Sequence, residues 1–265
     1  MRKHVAVGLV ALMTALAGAQ TTAGNAPAEV IANGGLIHTI LAAPVVGQPY
    51  SAVQVQRMKR VLADGTTISR QGHHAVARDS AGRVRVERRM ERAQNGQPET
   101  VMVFVLDPVA HTMMIWTTGA KTRKVAELIR LPEQKKDAAK TVDAQARPAD
   151  DGRPQPVVTT EDLGTDTLDG LPVTVAKMPT VVPAGRAGND APITKTHEVW
   201  TSPDMKLVMK EQWEDPRTGV RTVELDQFSR AEPDAALFRA PAGYSVKDIK
   251  QTLKELEEKL DQMQN

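Results

Sequence analysis

The chain reads as mainly β: one large curved antiparallel sheet with an amphipathic helix at the C-terminus. Three observations carry that reading. Short runs rich in Val, Ile and Thr recur from Tyr50 to about Arg230, Asp-Gly and Asp-Pro dipeptides separate them, and the final stretch switches to a period of three and four. At 265 residues the chain can bury a sizeable core, and a single domain over 50–244 is the expected arrangement.

Residues 1–19, MRKHVAVGLVALMTALAGA, combine Arg2 and Lys3, an apolar run from Val5 to Ala17, and the small-residue cleavage pattern Ala17-Gly18-Ala19 before Gln20. The run is shorter than the roughly 20 residues of a spanning helix. It is expected to be a signal peptide, with export to the periplasm or beyond and no transmembrane segment after cleavage. Residues 20–49 then form an N-terminal segment. Without Arg2 and Lys3 the 34 Lys+Arg fall to 32, equal to the 32 Asp+Glu, so composition gives no support for binding nucleic acid. The chain has no cysteine, which excludes a disulfide scaffold, a thiolate metal site, a cysteine nucleophile and a lipid-bearing cysteine.

The strands follow in order. YSAVQVQRMKRVLADGTTIS predicts a hairpin turning at Asp64-Gly65, where glycine supplies the positive φ of a tight turn. QGHHAVARDSAGRVRVERRM repeats the design around Asp79-Ser80-Ala81-Gly82, and Asn95-Gly96 separates the next pair. VMVFVLDPVAHTMMIWTT turns at Asp107-Pro108, because proline ends the strand and pre-sets φ. From Glu133 to Pro156 the chain becomes polar and proline-closed, an excursion between two halves of one sheet. VVTTEDLG, LPVTVAKM, ITKTHEVWTS, MKLVMKEQWED and GVRTVELDQFS resume the pattern. The total is roughly ten or eleven strands joined as an antiparallel meander, too many to stay flat.

SVKDIKQTLKELEEKLDQMQN places Val246, Ile249, Leu253, Leu256, Leu260 and Met263 on one helical stripe, so a helix is expected over 245–265 with Ser245 and Asp248 as its capping pair. The stripe is expected to dock on the sheet, or to pair with a second chain.

In VMVFVL, Met102 and Phe104 share one face and Val103 and Val105 the other, so both faces are expected to be covered. Met114 and Trp116 share a face of the next strand, and Met209 and Trp213 share one further on. Flexible, polarizable methionine suits a surface that accepts variable acyl chains, although it also fills cores.

LADGTTISRQ, ARDSAGRVRVE, VFVLDP, EDLGTDTLDGLPV, EVWTSPDMKLV and PDAALFRAPAGY together resemble a group of uncharacterised exported bacterial proteins. That group is itself similar in pattern to the lipoprotein-carrier (LolA-like) superfamily. Over Tyr50 to Val246 the resemblance implies a strongly curved antiparallel half-barrel whose concave apolar face holds acyl chains beneath a helical lid. No functional residue of the carriers is transferred to a position here.

Six arginines lie between Arg78 and Arg92, and 57–92 holds ten Lys or Arg against four Asp or Glu. Alternation puts Arg83, Arg85, Glu87 and Arg89 on one strand face, expected to be solvated. Such a face protects against edge-to-edge pairing, or docks an anionic headgroup or acidic partner through Arg83, Arg85 and Arg89. His73 and His74 are adjacent in a strand and point oppositely, so they do not chelate one ion, and no G-x-S-x-G or phosphate-binding loop occurs. No metal, cofactor or catalytic residue is expected.

The expected function is therefore a non-enzymatic exported protein that binds a lipid or lipoprotein acyl chain in an apolar concavity. Its lining is expected from Met102, Phe104, Met114, Trp116, Met209 and Trp213. The alternative is an interaction or sensor protein that binds a protein partner, or self-associates as a homodimer, through the C-terminal helix.

Overall fold

The computed structural model describes residues 44–91, 99–119, 122–131 and 152–251. The expected signal peptide, the Asn95-Gly96 turn, most of the polar excursion and the helical stripe beyond Gln251 lie outside these residues.

The described strands are β1 (Tyr50–Val61), β2 (Thr67–Arg78), β3 (Val84–Glu91), β4 (Thr100–Asp107), β5 (Thr112–Thr118), β6 (Val125–Arg130), β7 (Val157–Val158), β8 (Glu161–Leu168), β9 (Leu171–Val182), β10 (Ile193–Ser202), β11 (Leu207–Asp215), β12 (Gly219–Ser229) and β13 (Ser245–Asp248). They form one 13-stranded sheet in the order β13-β6-β5-β4-β3-β2-β1-β12-β11-β10-β9-β7, with β8 also paired to β9. Two meanders, β1–β6 and β8–β12, are thus joined through the β1·β12 pair. Among the described residues the two ends of the order are not bonded to each other, so the sheet does not close into a barrel.

Several of the turns form because an aspartate at the head satisfies main-chain donors that the strands leave open. Asp64 Oδ1 accepts from Thr66 N at 2.9 Å, Asp107 Oδ1 from Val109 N at 3.0 Å and Ala110 N at 2.8 Å, and Asp215 Oδ1 from Arg217 N at 2.9 Å. At the β8–β9 turn Asp169 and Gly170 both have positive φ, 46° and 74°.

Two expectations are corrected. The strand count exceeds ten or eleven because the run after the excursion splits into β7 and β8, and because Ser245–Asp248 is a strand, not the first turn of a helix. This β13 pairs in parallel with β6, from Ser245↔Val125 to Asp248↔Leu128, so the sheet is not wholly antiparallel. Main-chain bonds along the open edge of β6 outweigh one turn of helix, whose nucleation is unfavourable. The helix begins at Ile249, and Asp248 alone caps it by accepting from Lys250 N at 3.0 Å.

As expected, β4 is buried on both faces: Val103, Phe104, Val105 and Leu106 are all in the core. What covers one of those faces is the chain after β12, which runs back across β3–β6. Asp234 caps a single 3₁₀ turn, Ala235–Phe238, and Phe238 inserts among Ala77, Val103, Val105, Trp116 and Ala126. Arg85 donates to the Leu237 carbonyl at 2.6 Å, and the Tyr244 hydroxyl donates to the Thr117 carbonyl at 2.8 Å. A second cluster joins Tyr50, Ala52 and Val76 to Leu171, Val173, Trp200, Met205 and Met209.

Candidate ligand face

The register separates the residues that parity within single strands had grouped. Phe104 pairs with Ile115 and Met102 with Thr117, whereas Met114 pairs with Val105 and Trp116 with Val103. Directly paired residues share a face, so Met102 and Phe104 lie on one side of the sheet and Met114 and Trp116 on the other. The six therefore cannot line one concavity. Trp116 is buried beneath the Phe238 strap, and its indole Nε1 has no hydrogen-bond partner among the described residues. Met209 is core, packed with Met205 and Trp200, and only Trp213 falls in the half-buried row described below.

The arginine face is likewise not solvated throughout. The side chain of Arg85 is only 13% exposed; it binds Glu87 at 2.6 Å and lies 5.4 Å over the Trp116 ring. Arg83 is held by Asp79 at 2.6 Å and sits 5.2 Å over Phe238, while Arg89 reaches Glu99 at 2.8 Å and is 61% exposed. These guanidiniums are engaged within the chain, and the first two tie the C-terminal strap to the sheet. Arg83 and Arg85 are therefore not a free anion dock.

A different surface emerges from the second meander. Met178, His197, Trp213, Arg221 and Met58 stand side by side in one row across β9, β10, β11, β12 and β1. The next row on the same face is Ala176, Val199, Glu211, Val223 and Gln56. All ten are half-buried. The His197 ring stacks on Trp213 with centroids 4.8 Å apart and planes at 10°, and the Arg221 guanidinium lies 5.5 Å from the Trp213 centroid. His197 Nε2 is 3.3 Å from Glu211 Oε1. The matching row on the opposite face is polar, Lys177, Glu198, Gln212, Thr222 and Arg57, with Lys177 bonded to Glu198 at 3.0 Å, while the next row on that face buries Val175, Trp200 and Val55 in the core. The first row thus sets Met or Trp at three of its five positions, and the row directly behind it carries only groups that favour water.

Sequence reasoning found Trp213 but missed Met58, Met178, Val199 and Val223, because their meeting depends on which strands pair. The turn lengths within β8–β12 give part of that register; the β1·β12 seam is non-local.

His74, also on this side, pairs with Gln54. Burial, and then the Arg88 charge, lowers its pKa below 6.5; Arg89 and His73 lower it further, and the Glu87 main chain opposes them. Its buried Nδ1 has no hydrogen-bond partner among the described residues. A depressed folded-state value means that the neutral ring belongs to the native state, so this contribution to stability is present above pH 6.5 and is lost as pH falls below it. His74→Gln is expected to flatten the loss of stability between neutral pH and pH 5, measured by urea midpoints; an unchanged slope would assign that loss to other groups.

Among the described residues no group of three or more His, Asp or Glu is placed to hold a metal, and no helix is long and apolar enough to cross a membrane.

No family model and no curated protein matches the chain. Solved structures do. The chain is similar to MucB at 14% identity, covering 78% of this chain and 62% of that one, with a TM-score of 0.39. An uncharacterized conserved protein from Thermus thermophilus matches at 14% identity over 76% of this chain and 90% of that one, TM-score 0.37. A LolA superfamily protein from Nitrosomonas europaea matches at 9% identity over 72% and 90%, TM-score 0.27. The chain spans less than two thirds of the MucB length.

Proposed function

We propose that this chain is a non-enzymatic exported protein that binds the acyl chain of a lipid or lipoprotein along the face carrying Met58, Met178, Val199, Trp213 and Val223. The observation that supports this most directly is the half-buried row that holds Met178, Trp213 and Met58, backed by a row of polar side chains. Five adjacent strands about 4.8 Å apart span about 19 Å. A bilayer core of about 30 Å is two acyl chains deep, so the row is long enough to lay one chain along it. Each methylene removed from water stabilises the complex by about 0.8 kcal/mol, so eight contribute roughly 6 kcal/mol before the costs of association. Residues 1–19 would act as the cleaved signal peptide that delivers the protein outside the cytoplasm.

The test is native and denaturing mass spectrometry of protein exported through its own N-terminal segment and purified without detergent. A monomer carrying one acyl lipid is expected, with the lipid lost from the Met58→Lys/Met178→Lys double variant. Empty wild-type protein, or lipid retained equally by the variant, would sink this reading. An empty dimer would favour a second reading, an interaction protein. The observation that favours it is the β7–β8 edge, where Val157, Val158 and Leu163 are 58%, 60% and 50% exposed.

A further inference from the structure

The first row holds one cation, Arg221, and three more flank it that the acyl-chain reading leaves unused. Lys195 lies two residues from His197 on β10, Arg60 two from Met58 on β1, and Arg70 pairs with Met58 from β2, so all three share the face of Arg221. The two carboxylates on the same face nearby are already engaged, Asp215 by Arg217 at 2.7 Å and Glu211 beside His197 at 3.3 Å. Arg221 differs from the other buried or half-buried arginines already described. Arg78, Arg83 and Arg85 are each held by oxygen acceptors, whereas Arg221, among the described residues, lies over the Trp213 ring and near the Glu211 charge with no hydrogen bond or ion pair. A guanidinium has five donors, and leaving them unmet in a half-buried place is unfavourable unless a ligand supplies the acceptors.

Resting on the acyl-chain reading, we infer that Arg221, with Arg60, Arg70 and Lys195 around it, binds the phosphate of an anionic phospholipid whose acyl chain lies along the Trp213 row. The chemistry favours phosphate over a simple carboxylate. A phosphodiester presents oxygens to several cations at once, and the planar guanidinium fork matches two of them in parallel. The surplus of cations over free carboxylates favours a headgroup of net negative charge over a zwitterionic one, since a choline or ethanolamine ammonium would meet further positive charge here. Trp213 connects the two ends of such a ligand: its ring continues the apolar row and its face supports the guanidinium, an arrangement worth more when partly desolvated. Burial lowers the Arg221 pKa and the Glu211 charge opposes that shift, in keeping with a cation held away from water without a full counter-charge.

The experiment compares three soluble probes by calorimetry and tryptophan fluorescence on the full mature chain: dihexanoyl phosphatidylglycerol, dihexanoyl phosphatidylcholine and octanoate. The glycerol lipid is expected to bind about tenfold or more tighter than the choline lipid. That gap should close in Arg221→Gln, and it should narrow at high salt through screening of the exposed Arg60 and Arg70. Circular dichroism checks the fold of Arg221→Gln; an Arg60→Gln/Arg70→Gln variant, exposed at both positions, should reduce the gap in the same direction and keeps the test open if the first variant unfolds. Equal binding of the two phospholipids, an unchanged gap in the variants, or octanoate competing as well as the glycerol lipid would each overturn the headgroup assignment while leaving acyl binding in place. If none of the probes binds, the assignment falls together with the acyl-chain reading.

Discussion

Arg78→Ala is expected to lower the unfolding free energy by roughly 3–5 kcal/mol, seen as a fall in the urea midpoint with little change in slope. Arg78 is 4% exposed and has no carboxylate partner among the described residues; its guanidinium is shared between two main-chain carbonyls. Nε donates to Gln48 O at 2.8 Å and Nη2 to Met205 O at 2.7 Å, and the group lies 5.0 Å over Tyr50, which stacks on Phe228. One side chain thereby joins the segment before β1, β1 itself and the β10–β11 turn. Burial pushes the Arg78 pKa down and the nearby Tyr50 opposes it, yet a guanidinium stays protonated at any pH the fold survives. Truncation leaves two carbonyls without donors, at about 1–3 kcal/mol each, and adds an unfilled volume. Arg78→Met restores the volume but not the donors, so it should recover only part of the loss. A cost below about 1 kcal/mol for the alanine variant would show that these carbonyls find other partners.

The same residue shows what a sequence can and cannot disclose. Arg78 opens the arginine-rich stretch, which reads as a charged strand face; the structure divides that stretch among a buried clamp at Arg78, two cation–aromatic contacts at Arg83 and Arg85, and an exposed ion pair at Arg89. Composition cannot make that division, because it depends on aromatic rings and carbonyls from other strands, the Met205 and Leu237 carbonyls and the Phe238 ring from more than a hundred residues away. The hairpins were legible for the opposite reason. Their information is local: an aspartate or glycine at the turn, and alternation on either side.

The candidate face lies between these cases. Within one strand, parity is readable, and Met102 does share a face with Phe104. Across strands it needs the register, and here the turn from Asp107 to Thr112 sets it: those two residues pair, so every even-numbered residue of β4 faces an odd-numbered one of β5. The length of that turn is by itself enough to separate Phe104 from Met114 and Trp116. No such count reaches the Trp213 row, which crosses the seam between β12 and β1. Bulges move parity again, between Trp200 and Thr201 and between Ser51 and Val53. The segments EVWTSPDMKLV and PDAALFRAPAGY, the most specific in the sequence, prove to hold the scaffold. The first buries Trp200, Ser202 and Met205, and the second supplies the Phe238 strap.

Gly219→Ala tests that seam, and it is expected to cost about 3 kcal/mol or more, against roughly 1 kcal/mol for the control Gly65→Ala. Both glycines close aspartate-led turns with similar backbone, φ 93° at Gly219 and 83° at Gly65. Both therefore charge an alanine the conformational cost of positive φ. They differ in their surroundings. A Cβ at Gly65 meets nothing within 4 Å, whereas one at Gly219 would run into the Lys59 carbonyl oxygen and lie 2.9 Å from Arg60 Cα. Neither contact is the free end of a side chain, so relief requires β1 and β12 to separate where the two meanders are joined. The difference between the variants isolates close approach from backbone strain, and differential urea unfolding of the pair measures it. The effect should reach function as well, because the strands being forced apart carry Arg60, Met58 and Arg221, so Gly219→Ala should lose ligand binding under conditions in which Gly65→Ala retains it. Equal stability of the two variants would mean that the seam yields without strain, and the row of residues crossing it would then lack the fixed spacing on which a shaped ligand face depends.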